Sequence, residues 1–411
     1  MKYSRLFSIS ASGAFLLMLL YTLSVIVSPL PPDPVRLVKT LTLGLDNVRK
    51  FLILFCLFSF WLFVFLTDIQ KANPKKKKST VTAGFLITAL LVISVNFFVN
   101  PRGLYPIHMV EARVEDSRKI KAEVYRNSSR NQQIIILGSS RAYSFSPAYI
   151  QDRLHASAFN FSVLNGRISD FIIISKYVFE QAEVKPDLLI VEVNPGTSFI
   201  PEISLENTSI EFLPYMDLPW LLQYYVIRVE NLVSVEHFSD AVYTFFYRLK
   251  FRESPLPWLD WEVFADGGAS RPVNPYFKET LGFWNSSAAP VCPTEDLELQ
   301  AVYLERLVQD TRANGAGVIF VLTPSQPSYF QSVLADSDTY QQCMRTYDDL
   351  FLRLQNQYDR VYYRNYSDLS DIHGDTTELG FYDQQHMTPL NANHVIDALA
   401  DTINEAMEEK P

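Results

Sequence analysis

Two rhythms of apolar and polar positions divide this chain. In its first 100 residues, three runs, Ser8 to Val27, Phe51 to Leu66 and Val81 to Val99, are almost free of charge. Each approaches the roughly 20 residues a helix needs to cross hydrocarbon, so they predict three transmembrane helices. From about Asn131 the pattern changes to short β-rich apolar runs separated by amphipathic stretches, the pattern of βαβ units around a parallel sheet. Gln133 to Leu137, Phe159 to Val163, Asp187 to Val193, Gly317 to Leu322 and Val361 to Arg364 are the expected strands. Helices are expected over Pro147 to Leu154, Asp170 to Gln181, Asp296 to Asn314, Tyr340 to Gln357 and Ala392 to Glu408. The fold class is therefore α/β, with a flavodoxin-like parallel sheet whose site opens at the C-terminal ends of the strands.

Residues 196–291 break this rhythm. They hold four of the five tryptophans, Trp220, Trp258, Trp261 and Trp284, and enough other aromatics to pack a small core of their own. They can serve as a cap over the site, as a surface toward a membrane or partner, or as a purely structural insertion. The expected organisation is an anchor over residues 1–100, a linker over 101–130, and a domain over 131–411 that carries this insertion.

Charge orients the anchor. Lys71 and Lys75 to Lys78 crowd the short loop between the second and third runs, and such density stays on the cytoplasmic side during insertion. Arg36, Lys39, Arg49 and Lys50 oppose this from the first loop, less densely. The N-terminus, with Lys2 and Arg5, is then inside, and everything after Asn100 emerges on the opposite face. The expected location is a multi-pass inner (cytoplasmic) membrane protein with its large domain on the periplasmic or extracytoplasmic side and the lipid bilayer as a partner. Ser-Pro-Leu-Pro-Pro at 28–32 lacks a small-x-small cleavage pattern, so the first run is read as an uncleaved helix.

With 48% hydrophobic and 20% charged residues, the chain can fill a domain core and still spare these runs for a bilayer. A net charge of -9 disfavours broad contact with nucleic-acid phosphates, so no nucleic-acid partner is expected. The three cysteines match neither zinc nor redox spacing. Cys56 reads as a small buried thiol, and whether Cys292 and Cys343 pair is left open. His108, His155, His237 and His394 lack neighbours at ligand spacing. His373 is at most a contact at the site's lip. No metal and no cofactor are expected.

The chemistry sits at the strand ends. The first strand runs into Gly138-Ser139-Ser140-Arg141, which places a serine on a tight strand-to-helix turn at the mouth of the site. Near the other end of the domain, Asp383-Gln384-Gln385-His386 stands just before the last helix. A carboxylate three residues before a histidine can fix the imidazole tautomer while the other ring nitrogen faces a serine.

In these blocks the chain resembles the SGNH (GDSL-type) hydrolase superfamily, over about residues 132 to 408 apart from the insertion. The resemblance implies that Ser140 is the nucleophile and that Asp383 and His386 complete the catalytic set. It further implies that Gly166, in Asn160-Phe-Ser-Val-Leu-Asn-Gly166-Arg, and Asn194, in Val-Glu-Val-Asn194-Pro, join the Ser140 N–H as oxyanion donors. Three departures stand out: Ser139 replaces the family's aspartate before the nucleophile, the third block lacks the fuller Gly-x-Asn-Asp form, and Arg141 replaces a leucine. Arg141 can bind an anionic substrate or pair with a local carboxylate.

Membrane anchoring with an external domain of this type is similar to bacterial envelope proteins that add or remove acyl groups. The implied function is a serine esterase or O-acyltransferase acting on acylated envelope polysaccharide or peptidoglycan, with a multispanning membrane acyltransferase as donor partner. The alternative is a non-catalytic envelope scaffold or glycan-binding protein on the same fold, which has no need of a serine within reach of the imidazole.

Overall fold

The structure, a computed structural model, describes residues 89–90, 92–100, 104–105, 117–193, 209–250, 262–270, 297–331, 338–377 and 379–409. The chain forms two compact units, one of Met1–Glu115 with Tyr225–Leu259 and the other of Asp116–Tyr224 with Asp260–Pro411.

The second unit is the wound domain. Helix α1 (Ser117–Asn127) precedes strand β1 (Ile134–Leu137), and α2 (Pro147–Leu154) leads to β2 (Ala158–Asn160). Helix α3 (Ile168–Gln181) and β3 (Leu188–Val193) follow; α4 (Leu218–Val233) begins in this unit and ends in the other, to which α5 (Val235–Lys250) belongs entirely. A small antiparallel pair, β4 (Glu262–Val263) and β5 (Ala269–Ser270), precedes α6 (Leu297–Ala313), β6 (Gly317–Leu322), α7 (Asp338–Gln357), β7 (Val361–Asn365) and α8 (Pro389–Glu408). The five long-range strands pair in parallel in the order β2-β1-β3-β6-β7. This is the flavodoxin order expected from the sequence.

Side chains alternate across each strand and so feed two cores. Ile135, Leu137, Leu189, Val191, Val318 and Phe320 enter one core, with residues of α1, α3, α6 and α7. Ile134, Ile136, Leu188, Ile190, Ile319 and Val321 enter the other, with residues of α2 and α8. Every residue of β1, β3 and β6 is buried, which explains why these strands read as continuous apolar runs. Glu192 in β3 is the charged exception.

Part of the expected linker is structured. Helix α1 buries Arg118 and Lys121. Arg118 donates from Nε and Nη2 to the two oxygens of Asp170 at 2.8 and 2.7 Å, and from Nη1 to the Leu164 carbonyl at 3.1 Å. Asp170 also accepts from the Arg167 N–H at 3.0 Å, closing the start of α3. Lys121 donates to the carbonyls of Asn160, at 3.0 Å, and Gly267. These buried cations are fully engaged, as burial of a charge requires.

The described parts of the 196–291 region fall in both units. Its β4–β5 hairpin belongs with the wound domain: Asn160 N–H donates to Asp266 O at 3.0 Å and Ala269 N–H to Tyr143 O at 2.9 Å. Gly267, at φ 79°, approaches Asn160 so closely that a Cβ would lie 2.3 Å from its carbonyl oxygen, so only glycine fits. Residues 225–250 belong instead to the other unit.

In that unit, residues 92–99 are helical and pack Val92 against Phe238 of α5. Among the described residues, no helix is long and apolar enough to cross a membrane. The expected spans at 8–27 and 51–66, the lysine loop, and the first part of 81–99 lie outside the described residues. Cys343 is disulfide-bonded; Cys56 and Cys292 lie outside them as well.

Candidate active site

Strand β1 delivers the serine. After Leu137 the chain makes a single 3-10 turn, Ser140–Ala142, capped by the Ser139 side chain, which accepts from the Arg141 N–H. Gly138 is required here, because a Cβ would meet both Ala142 and Glu192 at 2.8 Å. Past the turn, Asn160 at the end of β2 holds the backbone by donating to the carbonyls of Ala142 and Phe145, each at 2.8 Å. Ser140 is 9% exposed. No described residue accepts a hydrogen bond from its N–H.

A second loop, entering α8, delivers the histidine. Phe381 and Met387 form an antiparallel bridge, and Tyr382 N–H donates to His386 O at 2.8 Å. Asp383 sits inside this tight turn and accepts from the N–H groups of Gln385 and His386 at 2.9 and 3.0 Å. The same carboxylate meets His386 Nδ1 at 2.8 Å through Oδ2 and 2.9 Å through Oδ1. On the other side of the ring, Nε2 lies 2.9 Å from Ser140 Oγ. With the ring proton on Nδ1, facing the carboxylate, Nε2 accepts from the serine hydroxyl. Ser140, His386 and Asp383 are thus brought together in series, across 246 residues of sequence for the first contact. The imidazole is reachable from solvent, its side chain being 25% exposed.

Two ties hold the loops in register. Ser144 Oγ donates to the Met387 carbonyl at 2.8 Å, joining the serine turn to the histidine turn. The second runs through Arg141, for which the sequence left two roles open, an anionic substrate or a local carboxylate. Arg141 is 6% exposed, and its guanidinium donates to Thr323 Oγ1 and to the carbonyls of Thr323 and Pro324 at 3.1, 2.7 and 3.1 Å. Its Nε also lies 3.5 Å from Glu192 Oε1, so the local carboxylate is its ionic partner. The segment it grips continues to Gln326, whose N–H donates to Gln384 O at 2.9 Å, inside the histidine turn.

The motifs around Ser140 and His386 do not point to Glu192. It is fully buried, and its Oε2 accepts from both the N–H and the hydroxyl of Ser139 at 2.9 Å. A carboxylate from β3 therefore supports the turn through Ser139, the residue before Ser140. The clue was available: a glutamate inside LLIVEV, a strand buried at every position, must find partners or be excluded.

The expected oxyanion donors fare differently. Asn194 lies outside the described residues. Gly166 comes close to the serine turn, but its N–H already donates to Val163 O at 3.0 Å, closing a turn with Asn165 at φ 49°. Its absent side chain is what matters, since a Cβ would sit 2.3 Å from the Gly138 carbonyl oxygen. Gly166→Ala is therefore expected to push Gly138 and the serine turn apart. Destabilisation of about 1–3 kcal/mol in thermal unfolding should accompany a loss of turnover larger than the stability change explains; an unchanged melting temperature would rule the clash out.

Among the described residues, no group of three or more His, Cys, Asp or Glu side chains is placed to hold a metal ion. No protein-family model and no curated protein matches the chain. Among solved structures, the chain is similar to a provisionally named platelet activating factor from Streptococcus pneumonia, at 12% identity, covering 70% of this chain and 92% of that one, with a TM-score of 0.30. A likeness at that level carries no argument about function, which leaves the geometry of Ser140, His386 and Asp383 to carry it.

Proposed function

We propose that this protein is a membrane-anchored serine esterase or O-acyltransferase that acts on acyl esters of cell-envelope polymers. The observation that supports it is the series Asp383, His386, Ser140, with contacts of 2.8 and 2.9 Å on opposite ring nitrogens. As the Ser140 oxygen attacks an acyl carbonyl, its proton passes to His386 Nε2, and Asp383 stabilises the resulting imidazolium. The Ser140 N–H, with no protein acceptor among the described residues, is available to the oxyanion that develops. Collapse breaks the ester C–O bond, the departing alcohol takes the proton from His386, and an acyl-serine remains. Water then yields the free acid, or a second hydroxyl yields a new ester. Lipid anchoring and the envelope substrate rest on the apolar runs and the lysine loop. The scaffold alternative loses ground because it gives no reason for a serine held within hydrogen-bond reach of an oriented imidazole.

A fluorophosphonate probe tests the activation of Ser140 without knowledge of the natural acyl donor. The full-length, detergent-solubilised chain should be labelled on the peptide carrying Ser140, and His386→Ala should abolish the label. Labelling confined to another serine, or none on folded protein, would refute the assignment.

A further inference from the structure

Helix α4 carries an apolar stripe that none of the described residues covers. Its inner face is well packed: Trp220, Tyr224 and Ile227 are buried. Its outer face presents Leu218, Leu222, Tyr225, Val226, Val229 and Val233, each between 53 and 67% exposed. Positions 218, 222, 226, 229 and 233 follow the three-and-four spacing of one helix face. The stripe runs the whole 16-residue helix, about 24 Å at 1.5 Å per residue. A helix whose outer face meets water carries charges there; this one offers Glu230 alone among its exposed residues.

What covers it is indicated by where the helix is fastened. Asn96 is fully buried, and its amide donates to the carbonyls of Asn231, Leu232 and Ser234 at 3.0, 2.9 and 3.0 Å. These are among the carbonyls that a helix C-terminus leaves without internal partners. Asn96 belongs to the charge-free run of Val81 to Val99, so the last turns of that run are bonded to the end of α4. The other side of the same segment exposes Leu90 and Phe98, at 61 and 45%. The exposed apolar residues of the run and those of α4 from Tyr225 to Val233 therefore belong to one compact unit, joined through Asn96.

We infer that α4 lies in the interfacial layer of a lipid bilayer, its stripe sunk among the acyl chains beside the end of the 81–99 run. This rests on the anchor reading of that run. Tyr225 suits such a boundary, having an apolar ring and a polar tip. The outer face carries no lysine or arginine, so the contact is apolar and should not require anionic lipid.

The test uses the full chain with Cys56→Ser and a nitroxide on Val229→Cys, reconstituted into phosphatidylcholine vesicles; Glu183→Cys in the wound domain is the control. The ratio of collisions with oxygen to those with a water-soluble nickel chelate should be several-fold higher at 229 than at 183, and unchanged when phosphatidylglycerol or salt is added. Chelate-dominated collisions at 229 in protein that floats with the vesicles would overturn the inference and leave the anchor standing. Spin–spin broadening at 229 that disappears on dilution with unlabelled protein would assign the stripe to a second copy and likewise overturn it. A chain that fails to float removes the anchor reading and this inference with it.

Discussion

Ser140→Ala is expected to lower kcat for ester hydrolysis by about 10^4- to 10^6-fold, with the melting temperature unchanged. The substitution removes one atom, Oγ, which among the described residues bonds only His386 Nε2. The backbone of the turn is held independently, by Tyr143 N–H on Ser140 O and by Glu192 on Ser139. His386→Ala should be as damaging, because a serine without its base is a poor nucleophile. The double variant should be no slower than either single one, since the residues act as one unit and their losses do not add. Turnover of p-nitrophenyl acetate by purified full-length protein is the measurement. Activity that survives Ser140→Ala, or losses that multiply in the double variant, would show that the chemistry lies elsewhere.

The second large effect concerns stability. Glu192 and Arg141 form a buried pair, with side chains 0 and 7% exposed and Nε 3.5 Å from Oε1. Removing one partner of such a pair costs about 3–5 kcal/mol, because the remaining charge is left buried and uncompensated. For a domain of this size, each kcal/mol lowers Tm by about 2–4 °C. Glu192→Gln is therefore expected to lower Tm by roughly 6–20 °C. It keeps an oxygen for the Ser139 N–H but strands the Arg141 guanidinium, and turnover should fall as the serine turn loosens. Adding Arg141→Met should restore part of the lost stability, since the double change removes the unpaired charge. Calorimetry of the three variants decides it: a Glu192→Gln protein that melts with the wild type would mean that the pair contributes nothing.

Both predictions concern residues that differ in how far the chain alone disclosed them. Periodicity was enough for the wound α/β class, because strands buried on both faces must be continuously apolar and the helices between them amphipathic. Expected and observed boundaries agree closely: Asp187 to Val193 becomes Leu188–Val193, and Tyr340 to Gln357 becomes Asp338–Gln357. The second strand is the poorest match, ending as an assigned strand at Asn160 rather than Val163. There the Asn160 side chain accepts from the Ser162 N–H and turns inward to hold the serine turn, a local competition that hydropathy does not register.

Asp383 and His386 were legible because their contact is local, three residues apart on one turn, and Ser140 because it ends a strand whose identity was clear. Contacts between distant segments were not legible in this way. That Arg141 turns inward to Thr323 and Glu192, that Gly166 serves by lacking a Cβ beside Gly138, that Arg118 and Lys121 of an apparent linker are buried, and that the aromatic insertion is shared between two units all depend on which strands lie side by side. The chain by itself determined the elements, their order and which polar side chains stand at their ends, since propensity and periodicity act over a few residues. The tertiary structure alone decided the partner of each buried charge, because a charge withdrawn from water is satisfied by whatever the fold brings within about 3 Å of it, however distant in sequence.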